Sequence, residues 1–354
     1  MKKVTSLVLA LVMCVCVFSS CTGDGKETAM SVKNGGKLSI NFMYLLTSIQ
    51  KSVYSEMLTA YGADWNTVAN EKTGETFSDL LYDQVIKSAK SALICEYMHD
   101  KVYGLSLTDN QKESVDTQIN SLIQKAGSKK NFEEQLSVYS ADIKTFERYL
   151  EISLKQNNLY NLFYDADGIF AIPEEKVKSE FKDKYAIVTH IYFNTATKMK
   201  SDGSLVSMTD EEKTQKKLLA ETVYSSILAG ESFEELKERY SEDAYESVYY
   251  PNGFFVTSDT TFPSEFTVAA LEMKVGEYRL VESGSTGTSG IHILYKLPMD
   301  ETLYNSNESV YNTIMSNLIS ADFDARLEEL FDEISVNDEQ MDLLNINIVP
   351  EYRY

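Results

Sequence analysis

Apolar positions recur every three or four residues over the first half of the chain, which is the spacing of amphipathic helices. Phe77, Leu81, Val85 and Ala89 follow this spacing in one stretch. The pattern predicts helices from about residue 40 to residue 170. Capping boxes, in which a side chain bonds the backbone three residues ahead, mark further helix starts at Thr76 with Asp79, Thr108 with Gln111, Thr209 with Glu212 and Ser232 with Glu235.

The pattern changes after residue 172, where two short runs rich in β-branched and aromatic residues predict strands. One run covers residues 186–193 and contains His190, and the other covers residues 289–295 and contains His292. If these strands pair as neighbours, each buried histidine can satisfy the hydrogen-bonding groups of the other. The elements between the two ends predict the order β, α, α, β, α, β, β, which is a compact α+β domain.

Helical spacing returns after Pro298, in a long amphipathic stretch. We expect this stretch to pack on the N-terminal helices, so that the α+β domain is inserted in a discontinuous helical domain. The predicted boundaries are 39–182 for the first helical part, 183–298 for the α+β domain and 299–354 for the returning helix and tail.

The N-terminus has the layout of a secretory signal peptide, with two lysines, an apolar run and a pair of serines before Cys21. Small residues directly before a cysteine resemble a bacterial lipobox, so we expect residues 1–20 to be removed, Cys21 to be lipidated and residues 21–38 to form a tether. An ordinary cleaved signal with a chance cysteine is the alternative. The apolar run of about a dozen residues is too short to span a bilayer.

The chain is strongly acidic, with 54 acidic and 33 basic residues and a net charge of −21. Nucleic acid is excluded as a partner, because its binding depends on Lys and Arg that neutralise phosphates. After cleavage at Cys21, the only thiol outside the anchor is Cys95, so no disulfide framework is possible within one chain.

Six short motifs occur in the region from Ala186 to Leu297 in an order that resembles parvulin-type (PpiC) peptidyl-prolyl isomerase domains. They lie at residues 189–191, 229–236, 240–243, 252–255, 266–277 and 289–293. By its layout, the whole chain resembles the PrsA-type extracytoplasmic foldase lipoproteins, with a helical part similar to the SurA-like chaperone domain. The resemblance implies an α+β fold, in which an antiparallel sheet with flanking helices is inserted in a mainly helical chaperone domain.

The resemblance also implies the roles of individual residues. His190, Asp243 and His292 fall on the catalytic positions, and the walls of a prolyl pocket fall on Phe255, Phe262 and Phe266. Structural roles stay open, because paired histidines can simply bridge strands and phenylalanines four residues apart are more often plain helix core. Two histidines and one carboxylate also match a metal triad, but the resemblance implies no metal and no cofactor.

The resemblance implies non-covalent catalysis of X-Pro isomerisation by a protein anchored through Cys21 to the outer face of the bacterial cell membrane. Its partners would be unfolded or newly exported polypeptides that contain X-Pro bonds. The alternative is a holdase chaperone whose parvulin-like domain is catalytically weak and serves to bind clients.

Overall fold

A computed structural model of the protein describes residues 27–165, 167–284, 289–300 and 303–353. The predicted signal peptide and the predicted lipidation site Cys21 lie outside the described residues. The chain forms two compact units. The first comprises the residues up to Ala171 together with Ser320–Tyr354, and the second comprises Ile172–Ile319.

Helices make up most of the described chain. In chain order they are α1 (Ile40–Ala60), α2 (Phe77–Tyr97), α3 (Asp109–Lys125), α4 (Lys129–Ser137), α5 (Ile143–Tyr164), α6 (Glu174–Lys184), α7 (Asp210–Leu228), α8 (Phe233–Tyr240), α9 (Glu246–Tyr249), α10 (Ser264–Glu272), α11 (Glu308–Glu328) and α12 (Asp338–Met341). A π-helical turn, Met98–Val102, follows α2, and 3₁₀ turns lie at Leu303–Ser306 and Phe331–Glu333. None of the described helices is both long enough and apolar enough to cross a membrane.

The strands of the described chain are, in chain order, β1 (Thr28–Val32), β2 (Lys37–Ser39), β3 (Val68–Asn70), β4 (Glu75–Thr76), β5 (Ala186–Asn194), β6 (Thr197–Met199), β7 (Leu205–Ser207), β8 (Phe254–Val256), β9 (Tyr278–Ser283), β10 (Gly290–Lys296) and β11 (Ile334–Val336). The longest strands, β5, β9 and β10, lie in the second unit. Together with the helices, the strands form an α+β protein, as the sequence predicts.

The predicted capping boxes start three of these helices. Thr76 begins α2, Thr108 begins α3 and Thr209 begins α7, each with the reciprocal bonds of a complete box. At α8, Ser232 accepts the backbone N–H of Glu235, and this is an N-cap without the reciprocal bond. Local hydrogen bonding therefore determines where these helices begin.

The prediction of a tether over residues 21–38 is wrong for the part that the structure describes. β1 pairs with β2 and with β11 in an antiparallel three-stranded sheet of the first unit. Met30 and Leu38 are buried in the core of that unit. The strand pairing satisfies the hydrogen-bonding groups of the backbone. Burial of the apolar side chains stabilises the segment, although its composition resembles that of a linker.

Two apolar clusters stabilise the first unit. One includes Met30 of β1, Leu93 of α2 and Phe163 of α5. The other includes Ile119 of α3 and Phe132 of α4. Burial of each such side chain contributes about 1.5–3 kcal/mol, so packing rather than intrinsic helix propensity holds these helices in place.

The second unit is built on an antiparallel four-stranded sheet with the strand order β8-β5-β10-β9. Successive side chains of a strand point to opposite faces. Even-numbered residues of β5 and β10, such as Val188 and Leu294, pack with α10, whereas odd-numbered ones, such as Ile191 and Ile293, pack with α7 and α8. Each face of the sheet therefore has its own core.

Candidate functional site

His190 and His292 occupy the α10 face of the two central strands. β5 and β10 pair so that Leu294 lies opposite His190 and Tyr192 lies opposite His292. The histidines are therefore diagonal neighbours, and their Nδ1 atoms lie 3.0 Å apart. The predicted pairing of the two histidine strands is confirmed. Gly290 opposite Asn194 leaves room for this packing, because a Cβ there would lie 2.2 Å from the Tyr192 ring.

Hydrogen bonds extend from the histidine pair in both directions and define a relay. His190 Nε2 lies 3.0 Å from Asp243 Oδ2, and His292 Nε2 lies 3.1 Å from the Ser283 hydroxyl. The same hydroxyl lies 3.3 Å from the carbonyl oxygen of Gly290. Four side chains from three strands and one loop are thus connected in a line.

The relay can hold its protons in two complete arrangements, which follow from the donors and acceptors of imidazole. In the neutral arrangement, His190 Nε2–H donates to Asp243, His292 Nδ1–H donates to His190 and the Ser283 hydroxyl donates to His292. In the charged arrangement, an imidazolium at His190 donates from both nitrogens. His292 then donates from Nε2 to Ser283, which donates to Gly290. The two arrangements differ by one proton and by the tautomer of His292.

The surroundings separate the pKa values of the relay. Burial lowers the pKa of His292 from 6.5 to about 3, and repulsion by His190 adds to this effect. The hydrogen bond from His190 lowers the pKa of Asp243 from 3.8 to about 2, and the backbone N–H groups of Tyr245 and Glu246 act in the same direction. At neutral pH, His292 is uncharged and Asp243 is a carboxylate.

The loop after α8 positions Asp243 along the edge of β5. The Glu242 N–H donates to the Tyr192 carbonyl at 2.8 Å, and the Tyr192 N–H donates to the Ser241 hydroxyl at 3.1 Å. Asp243 Oδ1 in turn accepts the N–H of Tyr245 at 2.8 Å. The loop therefore continues the sheet where β8 ends, and this places the carboxylate beside His190.

An aromatic cluster covers the histidines on the α10 side. Phe254 and Phe266 contact the His190 ring edge-on, with centroids 5.1 and 5.9 Å away. Phe266 also lies 5.2 Å from His292, and Phe262 contacts both Phe254 and Phe266. Of the three predicted pocket residues, Phe266 contacts both histidines and Phe262 belongs to the same aromatic cluster through Phe254 and Phe266.

The structure does not bring the third predicted pocket residue, Phe255, to this site. Phe255 points to the opposite side of β8, where it lies 6.0 Å from Phe181 of α6. Phe254 takes the position beside His190, because neighbouring residues of a strand face opposite sides of the sheet. Phe254 is therefore the third aromatic residue of the site.

Solvent exposure differs between the floor of the site, formed by the two histidines and Phe266, and its rim, formed by residues 245–250. Phe266 is 1% exposed, and both histidines are buried. At the rim, Tyr245 directly before α9 and Tyr249 within it are 69% and 67% exposed. Tyr250 connects this rim to the floor, since its ring lies 4.7 Å from that of Phe254.

Sequence reasoning did not single out the charged neighbours of the relay. Atoms of His190, Asp243 and Glu246 lie within 4.8 Å of one another, a spacing that suits a cation. The Lys237 ammonium supplies one, 2.9 Å from Glu246 Oε2. No local pattern links a lysine on α8 to a glutamate on α9, so only the fold reveals the pair.

The second unit contains a compact α+β domain, in which an antiparallel sheet in the order β8-β5-β10-β9 carries paired histidines on its central strands and an aromatic cluster against them. The predicted fold class is confirmed. The unit that carries this domain interrupts a mainly helical unit in the chain.

Among solved structures, the chain is similar to PrsA foldases. It is 16% identical to PrsA from Bacillus subtilis over 80% of this chain and 94% of that chain, with a TM-score of 0.25. It is 21% identical to the PrsA peptidylprolyl isomerase from Bacillus anthracis over 73% of this chain and 100% of that chain, with a TM-score of 0.26. It is 12% identical to the foldase protein PrsA from Lactococcus lactis over 88% of this chain and 96% of that chain, with a TM-score of 0.27. No family model and no curated protein matches the sequence.

Proposed function

We propose that the protein is a foldase of the PrsA type that catalyses cis-trans isomerisation of X-Pro bonds in unfolded polypeptides. The observation that carries this proposal is the hydrogen-bonded line from Ser283 through His292 and His190 to Asp243, which lies against an aromatic cluster. The reaction transfers no group, so a site for it needs an apolar surface for the proline ring and fixed charge beside the amide.

The aromatic cluster suits the ring of proline. Phe254, Phe262 and Phe266 present ring faces and edges at centroid distances of 5.0–6.1 Å from one another. A pyrrolidine ring that packs against them is removed from contact with water. This packing holds the proline in place while the peptide bond before it rotates. Phe266 is nearly inaccessible, whereas Phe262 is only partly buried, so Phe262 is the ring of the cluster that a proline reaches first.

Asp243 can act on the amide through its charge. The barrier of ~20 kcal/mol arises from resonance that places negative charge on the carbonyl oxygen of the planar peptide bond. A carboxylate beside that oxygen disfavours the planar form more than the twisted form, in which the resonance is lost. The Asp243 side chain is 20% exposed, which makes it the most accessible member of the relay and the one that a bound peptide contacts.

The proposed site of action is the outer face of the bacterial cell membrane. This part rests on the sequence alone, through the lipobox-like segment before Cys21. Mass spectrometry of the protein purified from membranes tests it, because a diacylglyceryl group on an N-terminal Cys21 is expected. An unmodified N-terminus at another residue contradicts it.

Exchange spectroscopy on a short X-Pro peptide tests the catalytic part of the proposal. We expect acceleration by the full chain and a loss of about tenfold or more in kcat/KM for Asp243→Asn. Phe254→Leu and Phe255→Leu form a matched pair, because the two residues are adjacent and lie on opposite faces of β8. Phe254→Leu should raise KM, whereas Phe255→Leu should leave the kinetics unchanged. Equal effects of the two substitutions contradict the proposed pocket.

A holdase chaperone is the second candidate, and the exposed rim favours it. Tyr245, Val248 and Tyr249 present a contiguous apolar surface of the kind that marks a binding site for polypeptides. The histidines and Phe266 beside this rim are buried, so the exposed part of the site is the rim itself. Under this candidate, the rim binds unfolded segments and isomerisation contributes little.

Aggregation assays separate the two candidates. The triple substitution Tyr245→Ser, Val248→Ser and Tyr249→Ser removes the apolar surface and keeps the relay. For a holdase, it should abolish suppression of aggregation of an unfolded client, and the unsubstituted chain should give no acceleration of X-Pro exchange. For a foldase, X-Pro exchange in a short peptide should persist in the triple variant.

A further inference from the structure

Two charged side chains next to the relay have no part in the proposed catalysis. Glu246 is 1% exposed, and its Oε1 accepts the Thr189 hydroxyl at 2.6 Å. Lys237 from α8 lies 2.9 Å from Glu246 Oε2 and donates to the Thr189 hydroxyl oxygen at 2.5 Å. The three side chains form a closed triangle, and each contacts the other two.

This triangle is joined to the relay at three points. Thr189 precedes His190 in β5, and the Glu246 N–H donates to Asp243 Oδ1 at 3.2 Å. Glu246 Oε2 lies 3.8 Å from His190 Nε2. His190 therefore has two carboxylates near one nitrogen, one of which is balanced by Lys237.

Charge balance determines how many protons the relay holds. The groups that face His190 are the carboxylates of Asp243 and Glu246, the Lys237 ammonium behind Glu246, and the uncharged His292. Phe254, Phe266 and Tyr192 contribute no charge. An unbalanced carboxylate at 3.8 Å from an imidazole in a buried site favours the imidazolium.

We infer that Lys237 and Glu246 form a positioning pair that keeps the relay in its neutral arrangement, with His292 protonated on Nδ1. Loss of the lysine charge alone shifts the relay toward the charged arrangement, in which His292 carries its proton on Nε2. Loss of both charges restores the neutral arrangement. The inference deepens the proposed function and rests on it for the kinetic readout only.

Nitrogen-15 NMR of the histidine rings tests the inference on the full chain, which contains three histidines. At neutral pH the unsubstituted chain should give the Nε2–H tautomer for His190 and the Nδ1–H tautomer for His292. In Lys237→Met at the same pH, the Nε2–H tautomer of His292 should replace the Nδ1–H tautomer. His99, which belongs to the first unit, serves as the internal control.

Charge-matched variants separate this role from a merely structural one. Glu246→Gln should keep the Nδ1–H tautomer of His292, and the double variant Lys237→Met with Glu246→Gln should restore it. Lys237→Arg keeps the charge and should keep the Nδ1–H tautomer as well. The value of kcat/KM for X-Pro exchange should follow the tautomer of His292 across these variants.

An unchanged His292 tautomer in Lys237→Met, or a changed tautomer that persists in the double variant, overturns the inference. If the unsubstituted chain accelerates no X-Pro exchange, the proposed catalysis fails, while the tautomers seen by NMR still decide the role of the pair.

Discussion

Lowering the pH should destabilise the second unit through His292. Burial holds the pKa of His292 at about 3 in the folded protein, against 6.5 for the exposed group. Because the folded pKa is the lower one, the unfolded chain binds a proton at pH values where the folded chain does not. The corresponding stability is present above pH 6.5 and is lost as the pH falls from 6.5 toward 3.

The expected loss follows from the size of the shift. Each pH unit inside this window is worth about 1.4 kcal/mol for one proton. Acidification from about pH 7 to about pH 4.5 should therefore remove roughly 2–3 kcal/mol of the unfolding free energy of the second unit. His292→Gln has no titrating group at this position, so it should start less stable and lose correspondingly less.

Hydrogen-exchange mass spectrometry in a urea titration measures this loss for each unit separately. Peptides from β10 should show the difference in pH dependence between the unsubstituted chain and His292→Gln. Peptides from α5 in the first unit are the internal control and should show no such difference. Equal losses in β10 for both proteins would refute the assignment of a buried neutral histidine.

Three further outcomes are expected. Gly253→Ala should lower the melting temperature more than Gly203→Ala, because both glycines have positive φ angles but an added Cβ at Gly253 lies 2.8 Å from the Val188 carbonyl oxygen and one at Gly203 meets open space. Phe266→Ala should cost about 3–5 kcal/mol in the urea unfolding of the second unit, because the side chain is fully buried. Cys95 should resist iodoacetamide in the native protein and react after unfolding, as read by peptide mass, because burial raises its thiol pKa to about 12. Rapid native alkylation of Cys95 contradicts the last expectation.

Features of the fold that depend on nearby residues could be predicted from the sequence. The capping boxes at Thr76, Thr108 and Thr209 involve bonds across three residues, so a short pattern identifies them. The histidine strands could be predicted because β-branched and aromatic residues dominate both runs. Their pairing followed from the need of each buried imidazole for a partner.

Features that depend on distant partners could not be predicted in the same way. One of the two partners of β1 is β11, about 300 residues along the chain, and nothing near β1 indicates that partner. The side of β8 that faces the histidines depends on its register with β5, and two adjacent phenylalanines give no preference for either. Phe254 and Phe255 were therefore indistinguishable until the pairing was known.

The bond between His190 and His292 joins residues that are 102 positions apart. Closing a flexible loop of this length costs about 4 kcal/mol of chain entropy, which the β5–β10 pairing must overcome. As the nascent chain grows, β5 appears long before β10. The edge of β5 that pairs with β10 therefore has no partner during this time. The relay cannot form on a chain that ends before His292, so synthesis of the unit must be nearly complete before the site exists. Until then this part of the chain is itself an unfolded polypeptide.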